Sequence, residues 1–533
     1  MTPTDEAAGS LPPPAVLKPY HLAVDTIWRR LLRYGLIAAL GLFMVIYGFY
    51  YAVTTPWLLV PFTLPFGIML LIVIWALPDM RAAPTLTMER LYFAFYVCLA
   101  VWPNYLAISL PGLPWITFIR LTGFPMVLAL LICLSVSSGF RKDMADVLSP
   151  TPWIWKPVTA FAVIVTYSIA LSAAPMASLQ YVIAAQVNWI AVFFLSVYIF
   201  SKPGRVERWA YLFWGMLLVL AVIAIREDRI QRVLWAGHIP SFFAINDPVV
   251  QSVLGGSYRK ATGEYRVKAM FTTALGLAEF MALSIPFVLH FMMGPFRRAV
   301  KIAAIITLPI AFFVVLVTGS RLGMVGTLIG ILLYSLLWGA RRWRQEKAGI
   351  VGPALLLAYP AIFVFVAGAT FAIPRLRRMV WGGGATDASD ATRDRQVTEG
   401  IPKILHNPFG YGIGRGAAIL GIRGSHDTLT IDNYYISVAL DYGVIGFIVF
   451  YGMILATIIY ATRAALRAPD DREFSYLMPI AVSLSSFFVI KWVFAQSGNH
   501  SLVFMMMGAV AALLWRLKRL DDAAAPPRSR LDR

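Results

Sequence analysis

The sequence predicts an all-α polytopic integral membrane protein. Of its 533 residues, 59% are hydrophobic and only 14% are charged, and the mean hydropathy is +0.71. A soluble domain is about a quarter charged and just under half apolar, so this composition excludes an ordinary water-soluble enzyme. The formal charge of +19 favours contact with an anionic membrane surface and no role in binding nucleic acid.

Apolar runs of the length needed to cross a bilayer, about 20 residues, occur about fourteen times along the chain. They cover residues 35–53, 57–77, 91–110, 116–138, 157–173, 179–200, 208–225, 272–293, 302–318, 322–338, 351–373, 436–461, 474–494 and 502–517. Lys and Arg gather in alternate connections, and cytoplasmic loops are the ones enriched in these residues. Both termini are therefore predicted to be cytoplasmic.

Two connections on the opposite side are long, at about 226–268 and 374–431, whereas most others there are short turns. Long loops are usually functional or disordered, and the tryptophans in these two, Trp235 and Trp381, argue against disorder. We therefore predict two structured loops on the outer face of the membrane that carry the function. The predicted organisation is a cytoplasmic segment 1–33, N-terminal helices 34–225, an outer loop 226–268, central helices 269–373, a long catalytic outer loop 374–431, C-terminal helices 432–517 and a disordered cytoplasmic tail 518–533.

Arg321 is the first candidate site residue. It ends the short turn Thr318-Gly-Ser-Arg321 between two apolar runs. An arginine in such a place is costly unless it faces a polar cavity or an anion. The alternative is that its side chain reaches the membrane interface and has no site role.

The second long loop contains the next candidates, Arg393-Asp-Arg395 and a run of alternating glycines, Gly410, Gly412 and Gly414, followed by Arg415. Alternating glycines allow sharp turns that can present several N–H groups to one anion. The planar guanidinium group of arginine binds two phosphate oxygens at once. The loop is therefore predicted to bind a phosphorylated substrate, although a glycine run of this kind is also common in ordinary loops.

The end of the same loop offers two candidates for a general base, His426 and Asp432. A carboxylate at the point where a loop enters the membrane is partly desolvated, which raises its pKa towards neutrality and suits it to accept a proton. The alternative role for Asp432 is to cap the following helix. Asn433 and Tyr435 follow directly, and Glu279 is an ionisable residue inside a span, where such residues often line cavities.

Several motifs are absent from the sequence. It has no phosphate-binding GxxxxGK[ST], which argues against ATP-driven transport, and no HExxH or clustered His and Cys ligands, which argues against zinc. The two cysteines lie in apolar runs, so they do not form a disulfide framework. No cofactor is predicted.

Several of these motifs occur in a fixed order around the second long loop. In chain order they are Arg266 with Phe271, Leu275 and Pro286, then Thr318-Gly-Ser-Arg321, Arg393, Asn407-Pro-Phe-Gly-Tyr-Gly-Ile-Gly414, Asn433 with Tyr435, and Asp441-Tyr-Gly-Val-Ile-Gly446. Over about 260–460 the chain resembles the O-antigen ligase and Wzy-type polysaccharide polymerase superfamily. The resemblance implies a GT-C-like membrane glycosyltransferase fold in the bacterial inner membrane, with the active site on the periplasmic side.

The resemblance also implies the reaction. Members of this superfamily move a glycan from undecaprenyl pyrophosphate to an acceptor hydroxyl, with arginines on the pyrophosphate and a base on the acceptor. Carried onto this sequence, Arg321 and Arg393 would bind pyrophosphate, and Asp432 or His426 would be the base. Asn433, Tyr435, Glu279 and Arg266 would line the substrate cavity. A flippase and a chain-length regulator would be possible partners.

Ligases of the superfamily typically have histidine directly before the Asn that Asn433 matches, and this chain has Asp432 there. The difference favours a polymerase, which transfers the glycan to the next lipid-linked repeat unit. The alternatives are a ligase that transfers it to lipid A-core, a flippase or transporter of lipid-linked oligosaccharides, and a non-catalytic scaffold. A transporter would predict internal symmetry between the two halves, which the sequence does not show.

Overall fold

The computed structural model describes residues 59–78, 82–109, 115–243, 247–258, 263–381, 387–423, 429–493 and 496–524, with isolated positions between 28 and 42. Of the described residues, those up to residue 70 belong to one unit, and those of 71–109 and 115–524 form another, larger unit. Everything described below, apart from residues 59–70, belongs to the larger unit. The described residues form helices and loops without a strand, as the all-α prediction requires.

The helices follow the predicted spans closely. They are α1 Leu59–Trp75, α2 Thr85–Val101, α3 Phe118–Val136, α4 Ser138–Leu148, α5 Pro152–Leu171, α6 Pro175–Phe200, α7 Arg205–Ile230, α8 Pro248–Leu254, α9 Ala274–Met293, α10 Arg298–Val317, α11 Arg321–Gln345, α12 Val351–Ala372, α13 Pro374–Val380, α14 Asp387–His406, α15 Gly416–Leu420, α16 Tyr434–Arg467, α17 Leu477–Ile490 and α18 His500–Ala524. Within the described residues, ten of these helices are long and apolar enough to cross a membrane. The first predicted span, 35–53, lies almost entirely outside the described residues, so the count of fourteen stays a prediction.

The centre of the described bundle is formed by α9 and α18. In the apolar 18-residue stretch of each helix, 89% of the residues of α9 and 78% of those of α18 are buried. In α12 the share is only 6%. Glycines allow α11 to approach α9 closely, because a β-carbon at Gly323 would lie only 2.7 Å from the Ala278 side chain. Small residues at helix contacts are typical of membrane bundles, where packing replaces the hydrophobic effect.

Ion pairs join the connections that the charge pattern assigns to one side. Arg205 pairs with Glu89 at 2.7 Å, and Arg472 pairs with Glu207 at 2.5 Å. These pairs connect the start of α2, the start of α7 and the connection after α16. These three segments lie together, as expected if the positively charged connections are all on one side of the membrane. The assignment of this side to the cytoplasm stays a prediction.

The connection predicted at 226–268 is folded against the end of α7, which continues past the predicted boundary to Ile230. The Glu227 carboxylate accepts hydrogen bonds from the Tyr265 hydroxyl at 2.8 Å and from the Ala269 amide at 2.7 Å. The second long connection contains α13, α14 and α15. Both connections therefore have ordered structure wherever they are described.

A break in α16 holds the glycine-rich segment of the second long loop. Gly443 has a φ of +72°, which interrupts the helix and frees two carbonyl groups. The amide of Tyr411 donates to Leu440 O at 2.8 Å, and the amide of Gly412 donates to Asp441 O at 3.1 Å. In return, the Val444 amide donates to the carbonyl of Pro408 at 2.9 Å. Gly443 thus allows the helix to open and to bind the loop.

Replacing Gly443 with alanine is expected to destabilise the protein by about 1–3 kcal/mol, because only glycine adopts this backbone conformation without strain. The added β-carbon would also collide with the backbone of Phe409. Gly452 lies in the same helix, has open space within 4 Å of the position that a β-carbon would take, and provides the matched control. The thermal midpoints of the two detergent-solubilised variants measure the difference, and equal midpoints would contradict this account of the break.

The prediction that residues 518–533 form a disordered tail is wrong for residues 518–524. Helix α18 continues through Ala524, because Arg516 is tied to Glu473 at 2.5 Å and the following residues include good helix formers such as Leu520 and Ala523. Residues 525–533 lie outside the described residues.

Candidate functional site

The start of α16 shows which residue caps the helix. The Asn433 side-chain oxygen accepts hydrogen bonds from the amides of Tyr435 at 3.0 Å and Ile436 at 3.2 Å. Asn433 is therefore the N-cap, and the alternative role of Asp432 as the cap is wrong. The carboxylate of Asp432 is left for another use.

The Asp432 carboxyl group lies in a half-buried position near Arg393. Burial raises the pKa of Asp432 above its usual range, and the nearby positive charge of Arg393 and a hydrogen bond with Thr430 partly oppose that rise. A carboxylate with a raised pKa is a stronger proton acceptor than an exposed one. The fold thus brings Arg393 close to Asp432, the candidate general base.

Gln396 holds this segment of backbone in place. Its side-chain oxygen accepts the amide of Asp432 at 2.9 Å and the amide of Asn433 at 3.3 Å. Gln396 is completely buried, one helical turn after Arg393 on α14. Residues three apart share a helix face, so this face of α14 presents both side chains to the Asp432 segment.

Arg395 lies on another face of α14. It forms an exposed ion pair with Glu399 at 2.5 Å, and two thirds of its side chain is open to solvent. The structure therefore does not bring Arg395 together with Arg393 and Asp432. Its predicted part in pyrophosphate binding finds no support in this arrangement.

Gln396→Ala is expected to lower activity about tenfold, because each lost hydrogen bond to a buried amide costs about 1–3 kcal/mol and leaves Asp432 less well positioned. Gln396→Glu keeps an acceptor oxygen, so it should recover the folded backbone while its added negative charge raises the pKa of Asp432 further. The pH dependence of the activity separates the two variants. An unchanged rate and pH profile for both variants would show that Gln396 does not position Asp432.

Arg266 contacts the turn between α10 and α11, and Arg321 stands at the end of that turn. The Arg266 Nε atom donates to the carbonyl of Thr318 at 3.0 Å. Gly319, with a φ of +59°, lets the Arg266 side chain approach to 3.6 Å from the β-carbon position. Arg321 begins α11 two residues later. Two arginines predicted separately thus share one turn.

This turn lies at the same end of the bundle as the Asp432 segment. Leu322, directly after Arg321, packs in a small apolar cluster with Ile490 at the end of α17. The next residue along, Lys491, accepts the amide of Tyr434 through its carbonyl at 3.0 Å. The end of α17 therefore connects the start of α11 to the start of α16.

Glu279 is buried in an ion pair. Its carboxylate lies 2.8 Å from Lys491 Nζ, and both side chains are fully buried. The Asn499 side-chain amide donates to the other carboxylate oxygen at 2.9 Å. This pairing joins α9, the end of α17 and the start of α18, so the predicted place of Glu279 in a substrate cavity is not supported here.

Tyr435 and Asn433, also predicted in the cavity, have structural partners. The Tyr435 hydroxyl donates to the carbonyl of Phe488 at 2.6 Å, and its ring stacks on Tyr451 at 4.2 Å. Asn433 is 1% exposed and caps α16. Both residues shape the surroundings of Asp432 through the start of that helix.

The glycine run has uses other than the predicted anion site. The amide of Gly410 donates to Asn407 O at 3.1 Å, and that of Gly412 donates to the carbonyl of Asp441. Two of the amide groups that were predicted to bind an anion thus donate to acceptors within the protein. The glycines allow the loop to lie close against α16. The part of Gly414 in pyrophosphate binding stays a prediction.

Asp441 and Gln396 are the site residues that the sequence reasoning missed. Asp441 Oδ1 accepts the amides of Arg415 at 3.0 Å and Gly416 at 2.7 Å, which holds Arg415 at the base of the loop. In the sequence, Asp441 could have been noticed as an acidic residue inside an apolar run, and Gln396 by its spacing from Arg393.

His426, the alternative base, lies outside the described residues. Among the residues that the structure does describe, no three His, Cys, Asp or Glu side chains could hold a metal ion.

The comparison with protein families found one match, and it includes the site just described. The model of a family described as O-antigen ligase matches residues 306–451, which include Arg321, Arg393, Asp432 and Asp441. The search among curated proteins found no match. The resemblance predicted from the sequence is thereby confirmed for residues 306–451, which match the O-antigen ligase family.

Proposed function

We propose that the protein is a polysaccharide polymerase that transfers a glycan from undecaprenyl pyrophosphate to another lipid-linked repeat unit at the periplasmic face of the inner membrane. The observation that carries the proposal is the Asp432 carboxyl group, which is half-buried near Arg393 and released from helix capping by Asn433. An arginine next to a candidate base is the arrangement that glycan transfer from a pyrophosphate requires.

The chemistry follows from the groups present. The acceptor hydroxyl oxygen attacks the anomeric carbon of the donor sugar while Asp432 takes its proton. The bond from that carbon to the pyrophosphate oxygen breaks, and the electron pair leaves with the lipid pyrophosphate, so the configuration inverts. Arg393 and Arg321 stabilise the charge of the leaving group, as fixed positive groups do most effectively in sites that exclude water.

The ligase is the second candidate, because the matching family is described as O-antigen ligase. It uses the same donor and the same roles for Arg393 and Asp432. Only the acceptor differs, since lipid A-core replaces the second lipid-linked unit. Asp432 in place of the ligase histidine is the residue that favours the polymerase.

The test supplies the purified protein in proteoliposomes with a lipid-linked repeat unit, alone or together with lipid A-core. A ladder of lengthening chains from the repeat unit alone supports the polymerase, and a single transfer to lipid A-core supports the ligase. Movement of the lipid-linked unit between leaflets without a new glycosidic bond would identify a flippase. No new bond with either acceptor would overturn the proposed activity.

A further inference from the structure

A polar cavity lies at the opposite end of α9 and α11 from Arg321. It has a volume of about 220 Å³ and lies between the ends of these two helices, the start of α10 and the connection before α17. Drug-sized ligands occupy pockets of about 300–1,000 Å³. The cavity therefore suits a smaller group.

Positive charge dominates its walls. Lys301, Arg341 and Arg342 line the cavity, and Asp470 is the acidic residue that faces them there. Arg342 is partly neutralised by Glu346 at 2.8 Å. Within the described part of the chain, Lys301 has no ion-pair partner. A cavity with this balance attracts an anion.

Arg341 is a buried cation in the cavity wall whose charge is only partly compensated. It is only 7% exposed, and its Nη2 atom lies 3.7 Å from Asp470, whose own side chain is 79% exposed. The same nitrogen donates to the carbonyl of Pro469 at 3.2 Å. Among the described residues the remaining donors of the guanidinium have no acceptor, although arginine carries five N–H groups. A buried charge is costly unless it is paired, so a further anionic partner would stabilise it.

The polar floor of the cavity is held in place. One ring nitrogen of His290 lies 3.0 Å from the Tyr334 hydroxyl, and the other lies 3.0 Å from the Ser475 hydroxyl. His290 is 3% exposed. These contacts tie the end of α9 to α11 and to the connection before α17, so hydrogen bonds hold the floor of the cavity in place.

We propose that this cavity binds a phosphate group, with Arg341 and Lys301 as its ligands. Guanidinium and ammonium groups are the side chains that bind phosphate oxygens in proteins. Basic pockets between helices on the cytoplasmic side of membranes bind lipid headgroups, and the charge pattern predicts that this end is cytoplasmic. The ligand is either the headgroup of an anionic phospholipid or a free phosphate. The site is separate from Asp432 and does not depend on the proposed function.

The experiment measures the thermal midpoint and retained ligand by native mass spectrometry for the purified full-length protein. The probes are phosphatidylglycerol, phosphatidylcholine and inorganic phosphate. Phosphatidylglycerol should raise the midpoint and stay bound, while phosphatidylcholine should do neither. An effect of inorganic phosphate alone would identify the free anion as the ligand, and an effect of the lipid alone would identify the headgroup.

Two substitutions locate the binding. Lys301→Gln and Arg341→Gln should each weaken binding about tenfold or more, as expected for a lost charge-assisted hydrogen bond. Arg344→Gln, an exposed change on the same helix that does not line the cavity, should leave binding unchanged. Because Lys301 is only partly buried, its variant should fold even where the Arg341 variant does not. Equal effects of all three probes, or full binding by Lys301→Gln, would overturn the proposal.

Discussion

Asp432→Asn is expected to lower the rate of glycan transfer by about 100- to 10,000-fold while the protein remains folded, because a positioned general base contributes this much. Asparagine has nearly the same shape and cannot take the acceptor proton. The hydrogen bonds that order this segment use the backbone amide of Asp432 and the side chain of Asn433, and the substitution keeps both. Chain formation in proteoliposomes measures the loss.

Asp394→Asn is the matched control, since it removes an exposed carboxylate from the helix that carries Arg393. It should retain the wild-type rate and thermal midpoint. Full activity of Asp432→Asn would reduce Asp432 to a structural residue and leave His426 as the candidate base. Loss of activity together with a lowered midpoint would point to folding instead.

Arg393→Ala is expected to lower the rate about 100- to 1,000-fold, the loss seen when one preorganised group that stabilises transition-state charge is removed. It should also change the pH dependence. The positive charge of Arg393 holds down the pKa of Asp432, which burial has raised. Without that charge the pKa rises further, so the acid limb of the rate profile moves to higher pH.

Arg393→Lys separates the two effects. It keeps the charge beside Asp432, so the acid limb should stay in place, but it loses the planar fork that binds two phosphate oxygens, so the rate should still fall. Arg395→Ala, on the exposed face of the same helix, provides the control with a wild-type rate. An Arg393→Ala profile identical to that of the wild type would contradict the electrostatic interaction with Asp432.

The helices could be predicted from the sequence because apolar runs of sufficient length have one stable structure in a bilayer. The predicted run 351–373 and helix α12 at Val351–Ala372 agree to within a residue. Prediction did less well where polar residues continue a helix, as in α18. Helical propensity and the ion pair of Arg516 stabilise the end of that helix, and a prediction from hydropathy detects neither.

At the candidate site, the sequence could identify residues but not their partners. Asp432 and Asn433 were both recognised, yet which of them caps α16 depends on a backbone geometry that either residue type supports. The importance of Gln396 depends on α14 folding back onto the start of α16, a contact between distant parts of the chain. The glycine run was interpreted as an anion site because a helix break at Gly443 leaves little trace in the sequence.

The break in α16 has a consequence for how the protein is made. Leu440 and Asp441 are buried, so without the loop their open carbonyl groups would have no hydrogen-bond partner, and each unmet bond in lipid costs several kcal/mol. The helix is therefore compatible with the bilayer only once residues 408–412 have docked into it. Insertion of α16 and placement of the preceding loop must be completed together, and deleting that loop would impair biogenesis before it could reveal anything about catalysis.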